Sequence, residues 1–154
     1  MLTENTKDEI EREMAHYPRK QGVCIEALKL VQRHEGWVSD ESMRELADFL
    51  EMTPDELDSV ATFYNKILRR PVGRHVIWIC DSVSCWIMGY ERVRERITEL
   101  LGTKLGETSA DGRFTLLPNV CLGACDHAPV LMIDDDTHLD VEPEKIGSVL
   151  EQYK

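Results

Sequence analysis

Residues 73–85 read GRHVIWICDSVSC, and this stretch decides how the rest of the chain is read. Arg74 to Cys80 is a short β-rich run with apolar residues on both faces, the pattern of a strand covered on two sides. Cys80 closes the run. Cys85 follows after four intervening residues, where the period turns helical. Further on, Cys121 and Cys125 bracket Leu122-Gly123-Ala124. Two short cysteine loops one supersecondary unit apart are laid out to close on one metal centre from two sides. Four thiolates are a soft, anionic ligand set, which selects zinc or an iron–sulfur cluster over hard cations.

Downstream of Cys85, the apolar residues Trp86, Tyr90, Val93, Ile97 and Leu100 recur at helical steps and predict one helix stopped by Gly102, with Trp86 in the core. Strands are expected over Gly112–Leu117, ended by Pro118, then over Pro129–Ile133 and His138–Val141, the last two joined by an Asp134–Asp136 turn. Pro143 opens a closing helix with Ile146, Val149 and Leu150 inward.

Upstream, the pattern is helical throughout: Lys7–Tyr17 stopped by Pro18, Gly22–Glu35 capped by Gly36, and a third helix capped by Ser39 or Asp40, with Met43, Leu46, Ala47 and Leu50 as its stripe. Thr53-Pro54-Asp55-Glu56 is a capping box with proline at the first helical position. The helix it opens should turn Leu57, Val60, Ala61 and Tyr64 inward and fray near Leu68. Arg69-Arg70-Pro71-Val72-Gly73 breaks the pattern. The expected architecture is α+β, with a helical bundle over 1–72 and a small mixed four-stranded sheet with flanking helices over 73–154.

The chain has 154 residues, 42% of them hydrophobic, and a net charge of -11. Nucleic acid is a poor partner for such a surface, since binding it requires neutralising phosphates. The start MLTENTKDEIERE does not read as a secretory signal, and no apolar stretch is long enough to span a membrane. A soluble, intracellular protein is expected. With five cysteines in a reducing setting, a disulfide framework is not. Cys24, left over, reads as a small buried hydrophobe.

The spacing leaves two metals open. Structural zinc sites favour C-x2-C but tolerate up to four intervening residues, and plant-type 2Fe-2S ferredoxins also begin with C-x4-C. Here no third cysteine follows two residues after Cys85. Iron–sulfur is favoured and zinc stays open. Gly123 and Ala124 let backbone approach a bulky centre. Cys85, placed at a helix start, would sit near backbone N–H groups that stabilise negative charge.

His127, two residues past Cys125, is assigned a supporting or solvent role, and His16, His34, His75 and His138 are assigned to the surface. Asp134–Asp136 reads as a solvated turn, since no calcium-loop pattern accompanies it. Phe63 is a docking residue only if exposed. The sequence carries no catalytic constellation and no phosphate or dinucleotide loop, so no substrate chemistry is expected from this chain alone.

The strings GRHVIWICDSVSC and GRFTLLPNVCLGACDHAPVLMIDDDTH, with VATFYNKI upstream, closely resemble the small 2Fe-2S subunit of NADH:quinone oxidoreductase, respiratory complex I. The resemblance runs from about Glu9 to Lys154. It implies a thioredoxin-like domain after a helical bundle. It also implies one 2Fe-2S cluster held by Cys80, Cys85, Cys121 and Cys125, lying off the main wire of clusters. The implied role is single-electron exchange with FMN on a larger flavoprotein subunit that carries the NADH site. Further complex I subunits, and a peripheral arm on the cytoplasmic face of the inner membrane, follow from the same resemblance. Related subunits of NAD-dependent hydrogenases and formate dehydrogenases are competing readings, as is a structural zinc module with four cysteine ligands.

Overall fold

The structure, a computed structural model, describes residues 2–154. The chain divides into two compact units, one ending at Pro71 and the other beginning at Val72.

The first unit holds α1 (Glu4–Met14), α2 (Cys24–Glu35), α3 (Asp40–Leu50) and α4 (Pro54–Phe63). Hydroxyl caps start three of them: Thr3, Ser39 and Thr53 each accept a backbone N–H two or three positions into the helix, and Glu56 completes the box at Thr53. The Thr3 cap starts α1 three residues earlier than its apolar spacing predicts, and α1 stops at Met14. Gly36 caps α2 in the left-handed region, as expected. Ile10, Leu28, Leu46, Leu50 and Leu57 are wholly buried together, and Cys24 packs half-buried against them.

Helix α4 does not run on towards Leu68. It stops at Phe63, and Tyr64 leaves the helical region and is 42% exposed instead of facing inward. Tertiary contacts override the local pattern here. The Gln32 side chain donates to the Lys66 carbonyl at 3.0 Å and accepts from Leu68 N–H at 2.5 Å. Arg69 binds Asp58 and Asp40 at 2.7 Å each, and also the Val38 carbonyl. These bonds draw the segment back across the bundle and bury Ile67.

The second unit is a four-stranded sheet in the order β2-β1-β3-β4. Strand β1 (His75–Cys80) runs parallel to β2 (Phe114–Asn119) and antiparallel to β3 (Leu131–Ile133), which pairs with β4 (Asp136–His138). With neighbours on both edges, Val76 to Cys80 is buried throughout, as its two-faced apolar pattern requires.

Pro118 lies inside β2 and does not end it. An edge strand tolerates a residue with no N–H to donate. At the other edge the hairpin turns on Asp134 and Asp135, with Asp134 at φ 53°. This tight turn brings β4 two residues earlier than predicted, and Asp140 at φ 49° cannot continue a strand to Val141.

The parallel crossover from β1 to β2 contains two helices where one was predicted: α5 (Val83–Ile87) and α6 (Tyr90–Leu101). Gly89, at φ 104°, separates them. Tyr90, Val93 and Ile97 of α6 pack on the sheet with Ile79, Leu116 and Leu131, and with Ile146 and Leu150 of α7 (Ile146–Leu150). Leu100, predicted inside, is half in water.

Candidate metal centre

The end of β1 and the short α5 carry the first loop. Cys80 is the last strand residue and is 2% exposed; Cys85 lies inside α5 and is 1% exposed. Cys85 therefore does not open a helix, as its sequence context suggested; it is the third residue of a five-residue one. The second loop leaves β2 at Asn119. Its thiols, Cys121 and Cys125, are exposed and 3.8 Å apart.

Cys121 and Cys125 are in sulfur–sulfur contact. Cys80 influences the acidity of the other three thiols, so the two loops lie within electrostatic reach of one another. A lone tetrahedral zinc, with 2.3 Å bonds to sulfur, would hold every sulfur pair about 3.8 Å apart. Cys121 and Cys125 have that spacing. Among the described residues, no group of three or more His, Cys, Asp or Glu side chains is gathered as a site for a single ion.

The surroundings set the acidities apart. Burial, then the neighbouring Cys80, pushes the Cys85 thiol up to about 11, against a Val130 N–H that favours its thiolate. Gly123 N–H donates to the Cys121 sulfur at 3.3 Å and draws that thiol below its ordinary range. Cys125 is raised by its bond to Cys121 and by that neighbour's charge. Gly123 itself stands at φ 83°, a conformation that suits glycine and aims its N–H at the sulfur.

Polar brackets hold the second loop. The Asn119 side chain donates to the Cys121 carbonyl at 2.8 Å. His127 pairs with Asp140 at 2.9 Å, and that bond, aided by Asp126, holds its imidazole above the usual range. His127 thus supports the loop. Neither Asn119 nor Asp140 carries a sequence signal for this role, since Asp140 lies fifteen positions beyond Cys125.

Two histidines assigned to the surface are packed instead. His75 bonds Asp134 at 2.7 Å, and His138 bonds the Tyr153 hydroxyl at 2.9 Å. His34 pairs with Glu9, and His16 is exposed. The Asp134–Asp136 segment is therefore more than a solvated turn: Asp134 also accepts Val76 N–H at 2.9 Å.

Trp86, expected in the core, is 59% exposed beside Cys85. Val83, Ile87, Met88 and Val120 are exposed as well, so large apolar side chains stand in water on both cysteine loops. The run Trp86-Ile87-Met88 ahead of Gly89 was the available signal, because three consecutive helical residues cannot all face one core. Phe63 is 80% exposed.

The sequence pattern of the family described as thioredoxin-like 2Fe-2S ferredoxin matches residues 10–154. This chain belongs to the thioredoxin-like 2Fe-2S ferredoxin family. Within that family it is 50% identical over 153 residues to the E subunit of the NADH-quinone oxidoreductase of Pseudomonas aeruginosa, covering 99% of this chain and 92% of the relative. It is 48% identical, with the same coverage, to the corresponding protein of Escherichia coli K12. Among solved structures, a chain of an NAD+-reducing NiFe hydrogenase in its air-oxidized state superposes with a TM-score of 0.73 at 21% identity. That match covers 85% of this chain and 22% of the hydrogenase chain, and it speaks to the fold alone.

The family's cofactor fits the residues present. Four soft thiols lie on two loops within electrostatic reach of one another, the Gly123 N–H already points at the Cys121 sulfur, and one pair faces water.

Proposed function

We propose that Cys80, Cys85, Cys121 and Cys125 hold one 2Fe-2S cluster, and that the chain is an electron-transfer subunit of an NADH:quinone oxidoreductase. The observation that carries this is the four-thiol group itself, set in a chain 50% identical over nearly its whole length to a subunit of that enzyme. A bound 2Fe-2S cluster supplies a site that gains and loses a single electron. The chain's own work is to present four thiolates, to donate the Gly123 N–H to Cys121, and to bury one pair while exposing the other.

In this reading the exchange partner is FMN on a larger flavoprotein subunit, which also binds NADH. The exposed thiol edge and the apolar side chains beside it suit a surface covered by such a partner. No helix among the described residues is long and apolar enough to cross a membrane. A peripheral arm on the cytoplasmic face of the inner membrane accords with that. The acidic chain, at net charge -11, disfavours added negative charge, so a reduction potential below zero is expected.

Native purification tests the assignment. A flavin-containing chain at equal stoichiometry, with quinone-linked membrane subunits, is the expected result. A nickel or molybdenum subunit in their place would assign the chain to a hydrogenase or formate dehydrogenase.

A further inference from the structure

We propose that Asn119 is a positioning residue for the centre held by the four thiolates: it joins the two cysteine loops and steadies the Gly123 N–H on the Cys121 sulfur, which raises that centre's reduction potential. This rests on the cluster reading above.

The sheet puts Asn119 at the point where the two loops leave it. Asn119 ends β2 and lies opposite Cys80, the end of β1, in the parallel register. Its carbonyl accepts Asp81 N–H at 3.1 Å, the first main-chain donor of the loop after Cys80. Its side-chain amide donates to the Cys121 carbonyl at 2.8 Å. One residue, only 5% exposed, thus grips the first loop with its main chain and the second with its side chain. A polar side chain buried that deeply is held in place by the bonds that satisfy it.

The Cys121 carbonyl belongs to the peptide leading into Leu122, so the Asn119 bond sets the direction in which the chain enters the next turn. One peptide further on, Gly123 stands at φ 83° and donates to the Cys121 sulfur at 3.3 Å. Without the amide, the Cys121–Leu122 peptide can rotate and carry the Gly123 N–H off the sulfur. The reduced centre carries one more negative charge than the oxidised one. A hydrogen bond to its sulfur is therefore stronger after reduction, and losing that bond lowers the potential.

The test is a double-mutant cycle of Asn119→Ala and Gly123→Val in the full chain carrying its native iron–sulfur group. No heavy atom lies within 4 Å of a Cβ added at Gly123, so valine there acts through its aversion to positive φ. Redox titration followed by visible absorption and electron paramagnetic resonance reads the midpoint; iron content reads assembly. In each single variant the reduced-to-oxidised ratio at the wild-type midpoint should fall about threefold, or roughly 30 mV where tenfold is 59 mV for one electron. Both changes remove the same bond, so the double variant should fall about threefold as well, not about ninefold. A purely structural role for Asn119 would lower stability and leave the midpoint where it was. An unmoved or higher midpoint in Asn119→Ala, additive shifts in the double variant, or loss of iron from Asn119→Ala and the bulkier Asn119→Leu alike would overturn the proposal. If Gly123→Val sheds its iron, Gly123→Ala closes the cycle under the same criteria. Wild-type protein purified without an iron–sulfur spectrum would instead sink the cluster reading, before any variant is made.

Discussion

The two cysteine loops present the same kind of side chain and are built in opposite ways. Cys80 and Cys85 belong to the hydrophobic core, packed with Ile79, Tyr90 and Val130. Cys121 and Cys125 stand in water on a loop held by the Asn119 side chain and the His127–Asp140 pair. The first pair is placed by the same burial that folds the sheet. The second is placed by a few polar bonds, and in the reading proposed above its open side is where an electron would arrive. One site therefore couples a rigid half to an accessible half.

The comparison can be broken most forcefully from the core. Ile79 is fully buried beside Cys80, and Ile79→Ala should cost about 2–5 kcal/mol in chemical denaturation, as large-to-small changes in packed cores do. A smaller effect would show that the first loop is not core-supported.

Serine substitution of the four proposed ligands sharpens the contrast. In the metal-free protein, Cys80→Ser or Cys85→Ser places a hydroxyl at a buried apolar position and should destabilise by about 1–3 kcal/mol. Cys121→Ser and Cys125→Ser, on an exposed loop, should leave the melting temperature of the metal-free protein unchanged. All four should lose iron. Equal destabilisation at both loops would erase the distinction.

Removing a bracket is milder. Asn119→Ala deletes the bond to the Cys121 carbonyl and should cost about 1 kcal/mol. Hydrogen exchange should quicken at Gly123 and Ala124 and stay slow along β1. The smallest effect is one of pH, away from both loops. Burial depresses the His138 imidazole below its ordinary 6.5. Its neutral form is favoured in the fold, so its contribution is complete above about pH 6.5 and declines as the pH falls below that. Protection of amides near Tyr153, corrected for the intrinsic exchange rate, should therefore fall as the solution is acidified below pH 6.5, and His138→Gln should remove that dependence.

Local chemistry made most of the helical unit legible in advance. The Thr53–Glu56 box, Gly36 and the Met43–Leu50 stripe lie where cap chemistry and periodicity put them, because each is decided by residues a few positions apart. The two-faced apolar run of β1 likewise announced a central strand. What misled were features settled by distant partners. Tyr64 turns outward because Gln32 and Arg69 claim the chain after it, Pro118 is tolerated because β2 is an edge, and Trp86 is exposed because Gly89 ends α5 before the apolar stripe can continue. At the site, thiol spacing pointed to the two loops. Their different burial and the Asn119 and His127 brackets depend on which segments meet in space, and no spacing encodes that.

Metal and sulfide analysis of the anaerobically purified full chain, with its optical spectrum before and after reduction, tests the central claim most directly. The account predicts iron and acid-labile sulfide in equal amounts, a pair of each per chain, with a visible spectrum that bleaches on uptake of a single electron. A colourless protein containing zinc and no labile sulfide would contradict it.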